Sequence, residues 1–78
     1  MTFNQINYFL TIAKHLNFTQ AASELFVAQS TLSRSMAALE AEIGVKLLQR
    51  DFHNVTLTAA GELMYCEMEK IMAEIGIV

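Results

Sequence analysis

The sequence predicts a mainly α domain in which three helices and a two-stranded β-hairpin precede one long closing helix. Three observations carry that prediction. Apolar residues recur at steps of three and four along most of the 78 positions, the signature of helices with one buried face. One stretch, residues 45–57, breaks that rhythm with short apolar and β-branched segments around turn-forming residues. Proline is absent, as is any Gly/Ser-rich linker or internal repeat, so nothing divides the chain into separate folding units.

The first helix is marked by Phe3, Ile6, Phe9, Leu10 and Ala13, and should fade between His15 and Asn17. Thr19 can accept backbone N–H bonds as an N-cap, which opens a short second helix from Gln20 to Phe26 with Ala21, Ala22 and Leu25 inward. The two alanines allow another helix to cross closely. A third helix follows almost at once, from about Gln29 to Ile43, with Leu32, Met36, Leu39 and Ile43 on one stripe. Gly44 then stands where a left-handed cap is wanted. Val45–Arg50 and Val55–Leu57 read as two strands joined through Asp51-Phe52-His53-Asn54. Thr58 caps a last helix that runs to or past the end of the chain. This order is that of a winged helix-turn-helix, residues 1–58, followed by a linker helix, residues 59–78.

Composition narrows the class. A chain this short has room for a single modest core, yet 54% of its residues are hydrophobic, above the ~45–50% usual for a soluble domain. The surplus suggests an apolar surface meant for something outside the chain. A single cysteine, Cys66, cannot form an internal disulfide, and no paired metal motif is present, so a reducing compartment and no metal or cofactor are expected. No apolar run approaches the ~20 residues that span a bilayer. The start, Met1-Thr2-Phe3-Asn4, lacks the basic region of a secretory signal. A cytoplasmic domain is expected, without membrane contact. No Ser/His/Asp set or carboxylate pair has catalytic spacing, so no enzyme is expected. His15 reads as a surface or capping residue, and Cys66 as a small helix residue.

The net charge of −3 argues at first against a polyanion partner. It is unevenly distributed. Residues 1–58 carry four basic and four acidic side chains, and residues 59–78 carry the whole deficit. The neutral half also holds the most suggestive surface. Gln29, Ser30, Ser33 and Arg34 share the polar face near the start of the third helix. Glutamine can pair with adenine, arginine can fork onto guanine or phosphate, and serine hydroxyls bond phosphates. The positive end of the helix dipole favours an anion at the same place.

Phe18-Thr19-Gln20-Ala21-Ala22 with Leu25, Val27-Ala28-Gln29-Ser30-Thr31-Leu32-Ser33-Arg34, Leu39-Glu40, Ile43-Gly44-Val45-Lys46-Leu47, Arg50 and Leu57-Thr58-Ala59-Ala60-Gly61 follow one another in order. In these blocks the chain resembles the DNA-binding domain of LysR-type bacterial transcription regulators, from Phe3 to about Met72. The resemblance implies sequence-specific binding of double-stranded DNA, with the helix at about 29–43 in the major groove and a wing at about 50–56 on the adjacent backbone or minor groove. It implies DNA contacts from Gln29, Ser30, Thr31, Ser33 and Arg34, a phosphate near Thr19 at the start of the second helix, and a wing anchored by Arg50 and reaching DNA with His53. It further implies a homodimer through the linker helix, which full-length members can extend to a tetramer. Their small-molecule inducers bind a separate effector domain, which this chain is expected to lack. Such a regulator would work at the bacterial nucleoid.

Departures from the family pattern matter too. Ala28 cannot cap the recognition helix, where many members have serine. Leu48 replaces a usual phenylalanine, and His53 and Thr56 stand where basic residues are frequent, which weakens the wing at neutral pH. Arg34, Lys46 and Arg50 remain as cations for about three phosphates, each contributing roughly −0.9 to the slope of log affinity against log salt.

The last helix gives the apolar surplus a location. Met64, Met68, Ile71, Ile75 and Val78 advance by four, three, four and three residues, the spacing of a helix packed along a second helix. Leu63 is expected to face the chain's own first helix. A two-fold dimer through this seam would present two recognition helices to a roughly palindromic site. The alternative is an interaction module that keeps the fold with weak or no DNA binding.

Overall fold

The computed structural model describes residues 1–51 and 54–76. In chain order they form α1 (Phe3–His15), α2 (Phe18–Leu25), α3 (Gln29–Ile43), β1 (Leu48–Arg50), β2 (Val55–Leu57) and α4 (Ala59–Glu74). β1 and β2 pair antiparallel, with Leu48 opposite Leu57 and Arg50 opposite Val55. The three-helix base, the hairpin wing and the closing helix match the expected order of elements.

One core holds the parts together. Phe9 and Ile12 from α1, Phe18, Ala21 and Ala22 from α2, Leu32, Met36 and Leu39 from α3, and Leu47 and Leu48 at the wing's base are all buried. Ala21 is wholly buried, and its small side chain lets α1, α2 and α3 approach one another. The ends of the apolar stripes stay in solvent, Phe3 and Ile43 among them. On α4, Gly61 and Met72 are buried, and Met64 and Tyr65 pack against the core.

Caps account for most of the boundaries. Thr2 and Gln5 form a reciprocal capping box at the start of α1. The second helix starts two residues earlier than Gln20, because Asn17, and not Thr19, is its N-cap. Asn17 is extended, and its side-chain oxygen accepts the Gln20 N–H at 2.9 Å. Asparagine is as good a cap as any residue type, and this choice buries Phe18 at the first helical position. Thr19 therefore lies exposed in the first turn. At the other end, Phe26 is outside the helix, in the left-handed conformation with φ 57°.

Two further boundaries differ from the sequence reading. β1 begins at Leu48 and not Val45, because the backbone groups of Lys46 and Leu47 serve other partners, described below. α4 ends at Glu74, followed by Gly76 with φ 74°, a left-handed position that stops the helix.

Candidate nucleic-acid interface

The polar face of α3 is built as a free surface. Ala28, extended at φ −71° and ψ 146°, provides no side-chain bond to the helix start. Gln29, Ser30 and Arg34 are exposed, and Thr31 and Ser33 are partly buried beside them. Arg34 has no carboxylate partner among the described residues. The other cations of residues 1–58 are engaged: Lys14 lies 3.7 Å from Glu24, Lys46 lies 3.7 Å from Glu40, and Arg50 is held as follows. The Arg50 Nη2 donates to Ser33 Oγ at 3.1 Å, and the guanidinium carbon sits 3.9 Å from the centroid of the Phe18 ring. Ser33 and Arg50 are thus brought together beside the start of α2, whose second residue is the exposed Thr19. An open cleft of about 1060 Å³ separates α3 from the hairpin, lined by Ser33, Met36, Lys46, Gln49, Arg50 and Thr56 among others. His53 lies outside the described residues.

Behind this surface is a joint in which polar groups are fully engaged within the protein. The Glu40 carboxylate, near the end of α3, accepts the N–H groups of Leu47 and Leu48 at 2.8 and 3.1 Å. Thr58 donates its hydroxyl to the Lys46 carbonyl at 2.6 Å and accepts the Gly61 N–H at 3.0 Å, so one side chain both caps α4 and ties it to the wing's base. The Thr58 N–H donates to the Leu47 carbonyl at 3.0 Å. Gly61 packs so closely that a Cβ there would lie 2.1 Å from that same carbonyl oxygen. Glu40, Thr58 and Gly61 all lie in blocks that resemble LysR-type domains, but local spacing assigns a structural role only to Thr58, as a helix cap. It assigns none to Phe18. Partners 7, 8, 12 and 17 residues apart leave no signal in local spacing.

Two titratable groups depart from their ordinary values. The hydrogen bond from His15, 2.7 Å away, holds the exposed Glu24 carboxyl below the usual carboxylate range, with Lys14 assisting. His15 thereby ties the end of α1 to α2. On α4, the bond between Tyr65 and Glu69 raises the phenol above its ordinary value, with burial adding to it.

The face of α4 is divided. Met64 is committed to the chain's own core, and Met68 is partly buried. Ile71 and Ile75 are about half exposed. Leu63, expected against α1, is instead 65% exposed, because Gly61 and Met64 are the residues that face inward. Val78 lies outside the described residues. Cys66 is an exposed free thiol.

Residues 3–62 match the family model described as bacterial regulatory helix-turn-helix protein, lysR family. This chain belongs to the LysR family. It is 40% identical over 76 residues to the HTH-type transcriptional regulator TcbR of Pseudomonas sp. strain P51, a stretch covering 97% of this chain and 26% of that protein. To the Hca operon transcriptional activator HcaR of Escherichia coli K12 it is 47% identical over 62 residues, covering 80% of this chain and 21% of that one. The chain thus spans about a quarter of the length of such curated relatives. Among solved structures, it is similar to the BenM DNA-binding domain in complex with catB site 1 DNA, with a TM-score of 0.91, 33% identity, and coverage of 96% of this chain and 83% of that one. The CbnR DNA-binding domain in its DNA complex gives a TM-score of 0.91 at 39% identity, covering 97% and 87%. The LysR-type fold is therefore shared over nearly the whole chain, and the family is one of transcription regulators and not of enzymes. No helix among the described residues is long and apolar enough to cross a membrane.

Proposed function

We propose that this LysR-type chain is a sequence-specific reader of double-stranded DNA and has no enzymatic activity of its own. The observation that carries this reading is the uncapped, exposed start of α3, where Gln29 and Ser30 are open and Arg34 is free of any carboxylate among the described residues. An exposed arginine at this place has no internal electrostatic role, and it supplies the bidentate donor that guanine or phosphate requires. α3 enters the major groove, Thr19 at the start of α2 meets a phosphate, and the wing lies on the adjacent backbone, with Arg50 at the end of β1. His53 belongs to that wing in the sequence. Because Lys46 lies near Glu40 and Arg50 bonds to Ser33, Arg34 is the cation of this face left without an internal partner among the described residues, and its one phosphate adds about −0.9 per protomer to the salt slope.

The reading extends to a homodimer through the outward face of α4, with a roughly palindromic site. The seam inferred from Met64, Met68, Ile71, Ile75 and Val78 shifts toward its exposed members, Ile71 and Ile75. Half-exposed isoleucines on one helix favour a helical partner of the same kind. Ile71→Glu places charge there and should yield a monomer in sedimentation. A dimer of undiminished stability would move the interface elsewhere. The DNA reading itself is tested by selecting bound duplexes from a random pool at fixed salt. Enrichment of one sequence is expected, whereas binding with no sequence preference, or none, would overturn it. In the cell, the cytoplasmic nucleoid is the setting this function requires.

A further inference from the structure

Arg50 occupies an unusual place for a residue expected to grip DNA. It is the last ladder residue of β1, paired with Val55, and its guanidinium reaches across to two other elements. One nitrogen donates to Ser33 in the second turn of α3 at 3.1 Å. The guanidinium plane's carbon stands 3.9 Å from the ring centroid of Phe18, the buried first residue of α2. A cation at this distance from an aromatic face is attracted by the ring quadrupole. One side chain thus joins the wing, the helix before the turn and the proposed recognition helix.

We propose that Arg50 is a positioning residue, clamping the wing to α3 through Ser33 with Phe18 as its platform, and that Ser33 serves this clamp. The inference rests on the DNA-reading role of α3 and deepens it. A hydroxyl has one donor and two acceptor lone pairs. By accepting from Arg50, Ser33 keeps its O–H to donate to a phosphate oxygen, and donation improves when the oxygen is itself hydrogen-bonded to a cation. Ser33 is one helical turn beyond Gln29 and next to Arg34 in the chain, so the clamp also fixes the wing's height relative to the two side chains best placed to read bases. A lysine at position 50 would keep the charge but lose the planar fork that can stack and bond at once.

The test is a double-mutant cycle in duplex affinity on the dimeric chain, using S33A, R50M, the double variant and R50K. Each single loss should weaken binding about three- to tenfold, the range for one exposed hydrogen bond. If the two residues act as one device, the double variant is no weaker than the worse single variant, and R50K stays as weak as R50M. Losses that multiply in the double variant, or full affinity in R50K, would overturn the clamp and leave Arg50 as a plain phosphate cation. A second measurement needs no DNA. In the free chain the Phe18 ring should displace the Arg50 side-chain proton resonances upfield, and S33A should move them toward open-chain values. Open-chain resonances in the unsubstituted protein, or no movement in S33A, would overturn the clamp even if R50M does not fold. Failure of the unsubstituted chain to bind any duplex would instead count against the DNA reading, with the resonances still deciding the clamp.

Discussion

The start of α3 and the joint between the wing and α4 are made of similar residue types and use them in opposite ways. At the first, Gln29, Ser30 and Arg34 are exposed, and the helix start lacks a side-chain cap. At the second, Glu40, Thr58 and the backbone of Lys46, Leu47 and Gly61 are bonded to one another across the interval between α3 and α4. Ser30 at the first is open to solvent, whereas Thr58 at the second is a fastening. The domain thus keeps one set of polar groups open to solvent while a neighbouring set is bonded internally. The joint also explains how α3 and α4, which touch little, can keep a fixed relation: both are tied to the same three-residue segment, 46–48.

Substitutions at the joint should cost stability. Gly61→Ala comes first, since its Cβ would meet the Leu47 carbonyl oxygen at 2.1 Å, and backbone cannot yield as a flexible side chain would. A loss of about 2–3 kcal/mol is expected, at the upper end for overpacking, read as a lower denaturant midpoint. An unchanged midpoint would mean that α4 does not approach the wing's base as described. Glu40→Ala should follow, at about 2 kcal/mol, because it leaves the Leu47 and Leu48 N–H groups without their carboxylate. Equal stability of that variant would show that water replaces Glu40 at no cost.

The smallest effect concerns the His15–Glu24 tie. The folded-state carboxyl of Glu24 is lowered, chiefly by the hydrogen bond from His15. Its contribution to stability is then fully present above the ordinary carboxylate value and is lost as pH falls through the lowered one. Because the group is exposed, solvent screening keeps the contribution small. Glu24→Gln should flatten the acid limb of a stability-against-pH curve slightly and leave neutral stability less favourable. A steeper acid limb in the variant would contradict the sign.

Much of the fold was legible in the sequence because helices with one buried face write their period into the chain. Leu32, Met36 and Leu39 were identified from spacing and are buried, and Gly44 ends α3 in the left-handed conformation with φ 78°. The second helix's start was less legible, since Asn17 and Thr19 are both able caps and only the burial of Phe18 chooses between them. On α4, Leu63 and Met64 are adjacent, about 100° apart around the helix. Both are apolar, so period alone does not say which faces the core; the close seat of Gly61 on Leu47 decides it. The exposed candidates Gln29, Ser30 and Arg34 were legible as residue types on one face. The engagement of Ser33 by Arg50 was not, because it joins elements 17 residues apart.

Arg34→Ala tests the central distinction most directly, measured both as unfolding midpoint and as affinity for a selected duplex. An exposed arginine without an ion-pair partner should change stability by no more than about 0.5 kcal/mol, while duplex affinity falls by about 1–3 kcal/mol if it reads a base. Undiminished affinity, or a loss of stability matching the loss of binding, would contradict the assignment of this face to DNA.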